Sequence, residues 1–260
     1  MISFIDRVYL LFRSFFLQAV FNYERFQNIG FLFSIAPLIK KTLREAEVKG
    51  LFERHSEIFN TQPYMSCFVM GNILKMELER KDKDEIKNIK QSLACAYASV
   101  GDRIFWSRLR VILAETTFII FVPVYFWFSQ TSLIEGIAVS VLTPTIFYIS
   151  YTLYIRYIGI VYGIECGGSK NCGLDKFNWN KIIRIFSRVA FFMTVLLYII
   201  ALFLYGFFYI SLPDIKETII YLSLPFCAFF IQRYFRKDKK NIFYPITAMI
   251  LLSFLFGFFV

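Results

Sequence analysis

The sequence predicts an all-α, polytopic membrane protein with N-terminal amphipathic and re-entrant helices and about five C-terminal transmembrane helices. Of its 260 residues, 57% are hydrophobic and 20% are aromatic, whereas soluble domains have about 45–50% apolar residues. The long apolar runs lie almost entirely after residue 110, and the loops between them alternate in positive charge. We expect a membrane-associated helical region on the cytoplasmic side at residues 1–110 and a transmembrane helical region at residues 111–260.

The first 110 residues have a helical pattern interrupted by polar residues. Apolar side chains recur at helical spacing near the N-terminus: Phe4, Ile5, Val8, Leu11, Phe12, Phe15 and Phe16. This spacing predicts an amphipathic helix on the membrane surface. Phe31 to Ile39 and Tyr64 to Leu74 are apolar but too short to span, so they are surface-lying, re-entrant or packed on a partner. Glu77 to Lys90 alternates in charge, which predicts a solvated linker and helix start.

Five apolar runs approach the length of about 20 residues that a membrane-spanning helix needs. They are Val111 to Phe128, Gly136 to Ile155, Val189 to Ile210, Thr218 to Gln232 and Ile242 to Val260. Lys and Arg are absent from residues 129–133 and number one in 211–217, whereas 156–188 has six and 233–240 has five. Positive residues concentrate in cytoplasmic loops, so the N-terminus is predicted to be cytoplasmic and the C-terminus external.

Close contact between two helices is predicted by Gly159, Gly163 and Gly167, which recur every fourth residue. The five cysteines are odd in number and scattered, which predicts reduced thiols. Cys166 and Cys172 share a Gly-rich loop, where they are small loop cysteines or a metal or redox pair.

Composition also limits the classes of function. The net charge of +10 fits a positive-inside pattern, so we predict a lipid membrane and no nucleic acid as partner. One histidine and no nucleotide-binding loop or metal cluster predict no cofactor and no self-contained enzyme. A lipid-modifying enzyme is disfavoured because a catalytic set is missing.

Polar residues crowd beside hydrophobic ones in three motifs. Motif 1 contains Asn22-Tyr23-Glu24-Arg25-Phe26-Gln27 followed by Gly30-Phe31, motif 2 is Arg54-His55-Ser56-Glu57-Ile58-Phe59-Asn60-Thr61-Gln62-Pro63, and motif 3 is Gly101-Asp102-Arg103-Ile104-Phe105-Trp106 with Leu109-Arg110 behind it. Their order and spacing resemble the enzyme IID component of the mannose, fructose and sorbose family of bacterial sugar phosphotransferase systems. The likeness continues through Arg156-Tyr157 and Asn178-Trp179-Asn180 and covers nearly the whole chain.

The resemblance implies a multi-pass subunit of the bacterial cell membrane. Such a subunit pairs with a IIC membrane subunit and translocates a hexose, while cytoplasmic IIB, charged by IIA, phosphorylates the sugar. The phosphorylated histidines of these systems belong to other components, so His55 is not expected to carry a phosphoryl group.

The same motifs imply the residues that contact the hexose. By their match, we predict seven substrate-binding residues: Asn22, Glu24, Arg25, Gln27, His55, Asn60 and Asp102. Two have structural alternatives. His55 is otherwise a helix-end histidine bonded to Glu57 or to backbone, and Asp102 is otherwise the N-cap of a helix from Arg103 to Leu113.

Motif 3 departs from the family pattern on both sides of Asp102. The family usually has Gly-Pro-Leu-Ala-Gly before Gly101, whereas Cys95-Ala96-Tyr97-Ala98-Ser99 here predicts a continuous helix. Arg103 and Arg108 add cations where the family has small residues. A diverged, non-transporting membrane scaffold that binds a IIC-like partner is therefore the alternative function.

Overall fold

The computed structural model describes residues 2–128 and 133–209, and all regular secondary structure in these residues is helical. The helices are α1 Phe4–Ser14, α2 Asn28–Lys40, α3 Glu45–His55, α4 Ser66–Leu78, α5 Lys83–Gly101, α6 Arg110–Phe128, α7 Leu133–Glu165 and α8 Trp179–Tyr209. A 3-10 turn follows α1 at Phe15–Gln18, and a π-helix, Asp102–Leu109, joins α5 to α6. The all-α prediction is confirmed for these residues.

The first predicted span differs from α6 by one residue, whereas the second lies inside the longer α7 and the third, as far as Tyr209, inside the longer α8. Among the described residues, two helices are long and apolar enough to cross a membrane, Ile134–Glu165 and Trp179–Leu204. The predicted spans Thr218 to Gln232 and Ile242 to Val260 lie outside the described residues, so the count of five stays a prediction.

The chain forms two compact units, Met1–Leu197 and Tyr198–Val260. In the second unit, residues 198–209 are described and form the end of α8. The predicted division at residue 110 concerns position relative to the membrane, and it stays a prediction.

Helix α1 begins with a capping box, in which the hydroxyl of Ser3 accepts from the Asp6 N–H (3.2 Å) and the Asp6 carboxylate accepts from the Ser3 N–H (3.0 Å). Phe4, Ile5 and Phe12 are more than 60% exposed. The predicted amphipathic helix is therefore present, and among residues 2–128 and 133–209 these three apolar side chains stay largely exposed.

Helices α2 and α4 pack inside the chain. Eleven of the thirteen residues of α4 are buried, and α2 buries Phe31, Ile35 and Ile39 completely. These short apolar segments pack against other helices of the same chain, and the prediction that they are surface-lying, re-entrant or packed on a partner stays a prediction.

The predicted glycine contact is confirmed between α4 and α7. A Cβ at Gly163 would lie 2.6 Å from the Phe68 carbonyl oxygen and 2.9 Å from Gly71 Cα, and a Cβ at Gly159 would lie 2.9 Å from Phe68 Cδ2. Because real Cβ atoms do not approach this closely, only glycine permits the contact. The backbone of α7 between Gly159 and Gly163 thus lies directly against α4.

Helix α7 continues past the end of its predicted span. Its 33 residues make a helix about 50 Å long, whereas the hydrocarbon core is about 30 Å thick. The loop predicted to start at Arg156 therefore starts after Glu165. Arg156 is 5% exposed, and its Nη1 donates to the carbonyl (3.0 Å) and hydroxyl (2.9 Å) oxygens of Ser14.

The loop after α7 contains a disulfide between Cys166 and Cys172, with Cα atoms 5.4 Å apart. The prediction of reduced thiols is therefore wrong for this pair, while Cys67 and Cys95 are free. Asn72 of α4 donates to the Cys166 carbonyl (3.1 Å) and the Ser169 carbonyl (3.2 Å). The Tyr97 hydroxyl of α5 donates to the Cys172 carbonyl. Two buried side chains thus attach this loop to α4 and α5.

Candidate functional site

Motif 1 forms a tight turn that Asn22 organises. The backbones of Asn22 and Phe26 exchange two hydrogen bonds of 3.0 and 2.8 Å. The Asn22 side chain accepts from the Arg25 N–H (2.7 Å) and donates to Asn28 Oδ1 (2.9 Å). Phe26 has φ +59°, a conformation that is uncommon for bulky residues. The side-chain bonds of Asn22 hold the turn in this conformation.

Motif 1 pairs with motif 2 like a short parallel bridge. The Gln27 N–H donates to the Phe59 carbonyl (2.9 Å), and the Phe59 N–H donates to the Arg25 carbonyl (3.3 Å). The Gln27 side chain extends the pairing, because its Nε2 donates to the Thr61 carbonyl (3.0 Å) and its Oε1 accepts from the Thr61 N–H (3.2 Å). The two motifs are therefore one structural unit.

Motif 2 in turn contacts α5 and motif 3. The Thr61 hydroxyl donates to the Ala94 carbonyl (2.9 Å). Gln62 packs on Gly101, where an added Cβ would lie 2.5 Å from Gln62 Cβ. Motif 2 thus contacts both motif 1 and motif 3, and we call this set of segments the polar junction: residues 22–28, 56–62 and 101–102.

The seven predicted site residues divide by exposure. Gln27 and His55 are buried, and Asn22 is half-buried. Glu24, Arg25, Asn60 and Asp102 are exposed. Arg25 donates through Nη1 to the Ser56 carbonyl (3.1 Å). Within residues 2–128 and 133–209, the side chains of Glu24, Asn60 and Asp102 form no hydrogen bond or ion pair, so their polar atoms are available to a ligand.

Asp102 is not an N-cap, so that alternative is wrong. Its backbone is helical (φ −63°, ψ −39°), and its N–H bonds to the carbonyls of Ala98 and Ser99 because α5 runs without a break into the π-helix. The continuous helix predicted through Cys95-Ser99 is thus confirmed. Asp102 stands exposed at the first position of the π-helix, a type of segment frequently found at functional sites.

His55 lies at the C-terminal end of α3 and bonds to Glu77. Its Nε2 lies 2.8 Å from Glu77 Oε1, and the same carboxylate accepts from Arg54 Nε (2.7 Å) and Nη2 (2.6 Å). The helix-end position is confirmed, but the partner is neither Glu57 nor backbone. Burial lowers the pKa of His55. Burial would raise the pKa of Glu77, but the bonds from Arg54 and His55 outweigh it and lower that pKa to about 2.

The sequence analysis missed Glu77 and Lys90, both of which are buried. The prediction of a solvated segment holds for residues 79–85 but is wrong for these two, which are 4% and 3% exposed. Burial lowers the pKa of Lys90 to about 8. The sequence contains a signal for the burial of Lys90, because this residue shares one helical face with Ile86, Leu93 and Tyr97.

The described residues thus form a helical protein with two helices long and apolar enough to cross a membrane and with exposed polar side chains in its three motifs. A family model described as "PTS system mannose/fructose/sorbose family IID component" matches residues 2–260. The chain belongs to this family.

Curated relatives carry the same family name. The PTS system mannose-specific EIID component of Escherichia coli (strain K12) is 34% identical over 167 residues, which cover 60% of this chain and 53% of the relative. The PTS system sorbose-specific EIID component of Lacticaseibacillus casei is 30% identical over 168 residues, covering 62% and 54%. The Fructose permease IID component of Bacillus subtilis (strain 168) is 37% identical over 108 residues, covering 39% of each. The chain spans about half the length of the first two relatives.

Solved structures share the fold over almost the full length. One chain, solved as a membrane protein, has a TM-score of 0.64 at 23% identity and covers 98% of this chain and 96% of its own. A chain of the cryo-EM complex of mannose transporter ManYZ with microcin E492 (MceA) has a TM-score of 0.53 at 24% identity, covering 99% and 96%. These likenesses show the fold.

Proposed function

We propose that this chain is the IID subunit of a mannose-family permease in a bacterial cell membrane. It translocates a hexose together with a IIC partner, while IIB, charged by IIA, phosphorylates the sugar. The observation that carries the proposal is the polar junction, where motif 2 contacts both other motifs and where Glu24, Asn60 and Asp102 are exposed with free polar atoms.

The junction has the hydrogen-bonding groups that an uncharged hexose requires. Carboxylates accept from sugar hydroxyls, an amide both donates and accepts, and a guanidinium offers five donors. We assign these contacts to Glu24, Asn60, Asp102 and the donors of Arg25 that Ser56 does not use. Asn22, Gln27 and His55 hold the loops from within, because their side-chain bonds go to the chain itself.

A second observation supports the proposal, namely that the membrane helices have exposed apolar faces. In the part of the chain that the structure describes, none of the most apolar stretch of Trp179–Leu204 is buried, and Phe191 and Phe192 of α8 are more than 60% exposed. Glu115 of α6 is 8% exposed; Oε1 accepts from the Thr194 hydroxyl (2.5 Å), and Oε2 has no partner in the described part of the chain. A IIC subunit and lipid together satisfy such a surface.

The test is hexose binding by the purified complex with its IIC partner. Radiolabelled mannose, fructose and sorbose are offered in turn to wild type, Asp102→Asn and Asp175→Asn. We expect one sugar to bind wild type and Asp175→Asn equally, and Asp102→Asn at least tenfold more weakly. Asp175 is the matched control because it is an exposed aspartate in the loop after α7.

The alternative, a non-transporting scaffold, is favoured by one observation. Arg103 is exposed beside Asp102, and it adds a bulky cation there where the resemblance implies a small residue. Arg108, the other added cation, is held by Ser187 Oγ (2.5 Å) and the Arg103 carbonyl (2.5 Å). A stable complex with IIC that binds none of the three sugars, in wild type or with Arg103→Ala, identifies the scaffold.

A further inference from the structure

An apolar groove lies between the C-terminal half of α7 and the first turns of α8. Its volume is about 300 Å³, and its walls are four residues of α7 between Tyr151 and Ile158 and five residues between Phe177 and Phe186. Both walls are partly uncovered, since Tyr154 is 58% exposed and Ile185 is 46% exposed. The proposed sugar contacts do not use this α7–α8 groove.

The position of the groove along α8 corresponds to the boundary between lipid headgroups and the hydrocarbon core. Arg188 is the last charged residue of α8, so the uninterrupted apolar part of the helix begins at Val189. The groove residues of α8 all precede that point. The walls also contain Trp179, Tyr151 and Tyr154, and Trp and Tyr are enriched at membrane–water interfaces. Lipid phosphates and the upper parts of acyl chains occupy this level of a bilayer.

Three cations of α8 lie beside the groove. Lys181, Arg184 and Arg188 are three and four residues apart, a spacing that places them on one face of a helix, and all three are exposed. Ile185 of the groove wall follows Lys181 by four residues and therefore lies next to it. Along the helix the three cations extend over about 10 Å.

These three cations have no acidic partner in the described part of the chain. Helix α8 contains no Asp or Glu, and none of the three forms an ion pair within residues 2–128 and 133–209. The N-terminal end of α8 adds partial positive charge from its backbone N–H groups. Uncompensated positive charge thus lies next to an apolar groove, which is complementary to a molecule with an anionic head and an apolar tail.

We infer that the α7–α8 groove binds an anionic phospholipid. Lys181 and Arg184 bind the phosphate through charge-assisted hydrogen bonds, and the upper part of one acyl chain lies between the groove walls. Basic pockets between membrane helices are a known kind of lipid-headgroup site. A soluble acidic protein would pair with the cations but would leave the apolar walls unused. The inference goes beyond the proposed function, since it requires neither a hexose nor IIC.

The first experiment titrates the full chain, purified in detergent micelles, with single lipids and counts the bound molecules by native mass spectrometry. Each cation near a membrane surface contributes roughly a fivefold preference for anionic lipid. Phosphatidylglycerol is therefore expected to bind wild type at least tenfold more tightly than phosphatidylcholine with the same acyl chains. The double variant Lys181→Gln with Arg184→Gln should lose most of this preference. Equal binding of the two lipids to wild type overturns the inference and favours an acidic protein as the partner of these cations.

The matched control for charge is the double variant Lys170→Gln with Arg103→Gln. It also removes one lysine and one arginine that are exposed, but both lie outside the groove, so it should bind like wild type. Equal losses in the two double variants overturn the inference, because they show attraction by net charge alone. Glycerol 3-phosphate in large excess should not displace phosphatidylglycerol. Displacement by it shows a site for soluble phosphate and overturns the inference too.

The second experiment tests the groove by filling it, with the same measurement. Ile185→Trp adds bulk to a half-exposed wall residue and should weaken phosphatidylglycerol binding at least fivefold. Val189→Trp is the matched control, because Val189 lies one turn further along α8, is 39% exposed and does not line the groove. It should bind like wild type. Equal affinities of the two Trp variants overturn the inference, and the comparison of the two lipids on wild type needs no variant.

Discussion

Replacing Glu77 by Gln is expected to destabilise the protein by about 3 kcal/mol at pH 7. The Glu77 side chain is 3% exposed and bonds to both Arg54 and His55. Its pKa is lowered from 4.5 to about 2, which corresponds to about 3 kcal/mol at about 1.4 kcal/mol per pKa unit. Removing one member of a buried pair ordinarily costs about 3–5 kcal/mol, because the remaining charge loses its partner.

The pH dependence gives the prediction a second signature. The folded state favours the Glu77 carboxylate, so its contribution is fully present above pH 4.5 and is lost as the pH falls from 4.5 toward 2. The free energy of unfolding, measured by denaturant titration in detergent micelles, should therefore differ between wild type and Glu77→Gln at pH 7. The difference should shrink steadily as the pH falls below 4.5.

Glu79→Gln is the matched control for this experiment. Glu79 follows Glu77 by two residues and forms an exposed pair with Lys75 (2.9 Å). Such a pair contributes about 0.3–0.5 kcal/mol. If Glu77→Gln and Glu79→Gln both lie within about 0.5 kcal/mol of wild type, the buried cluster does not stabilise the fold and the argument is refuted.

Three further predictions follow from other parts of the chain. Gly163→Ala should lower the free energy of unfolding by about 1–3 kcal/mol, because the added Cβ would overlap Phe68. Gly50→Ala, whose Cβ meets only Arg54 Nη1 at 3.6 Å, should raise the free energy of unfolding by up to about 1 kcal/mol. Equal effects of the two substitutions would contradict close packing at Gly163. A membrane-impermeant thiol reagent on intact cells should label Cys introduced at Thr131 and miss Cys at Lys170; the reverse pattern would reject the topology. Co-purification with IIC should raise the Tm above that of the chain by itself, and an unchanged Tm would reject that partner.

Features that depend on local sequence were predictable. The length of the apolar run predicted α6 closely, since the predicted span, Val111 to Phe128, differs from the observed helix, Arg110–Phe128, by one residue. Glycine spacing predicted the helix contact because a fourth-residue repeat lies on one face of any helix. The contact partner, Gly71, gave no comparable signal, since it stands without a neighbouring repeat.

Features that depend on distant partners were not predictable. Arg156 was predicted to start a loop because a cation usually ends a span. Arg156 instead lies inside α7, where its guanidinium donates a hydrogen bond to Ser14, 142 residues earlier in the chain. Glu77 was predicted to be solvated because segments of alternating charge usually are. It is instead buried, with its carboxylate bonded to Arg54 and His55. In both cases the decisive bond joins segments whose proximity the local sequence does not reveal.

For the candidate site, the resemblance gave the identities of the residues. It did not show which of them are exposed and which bond within the chain. The pairing of Gln27 with Thr61 joins the Gln27 side-chain amide to the backbone of a residue 34 positions later, so no local pattern indicated it. The same is true of Asp102. The sequence predicted a continuous helix through Ser99 but left Asp102 as a possible N-cap, and the structure shows that the Asp102 N–H bonds to the carbonyls of Ala98 and Ser99.

The glycine contact of α4 with α7 also constrains how the protein responds to its bilayer. Backbone atoms set its spacing, so no side-chain rotamer can absorb a displacement between the two helices. A helix that spans lipid tilts when the hydrocarbon thickness changes. Tilting of α7 therefore carries α4 with it, and through Glu77 and His55 it carries motif 2. We therefore expect the acyl-chain length of the surrounding lipid to change the geometry of the polar junction.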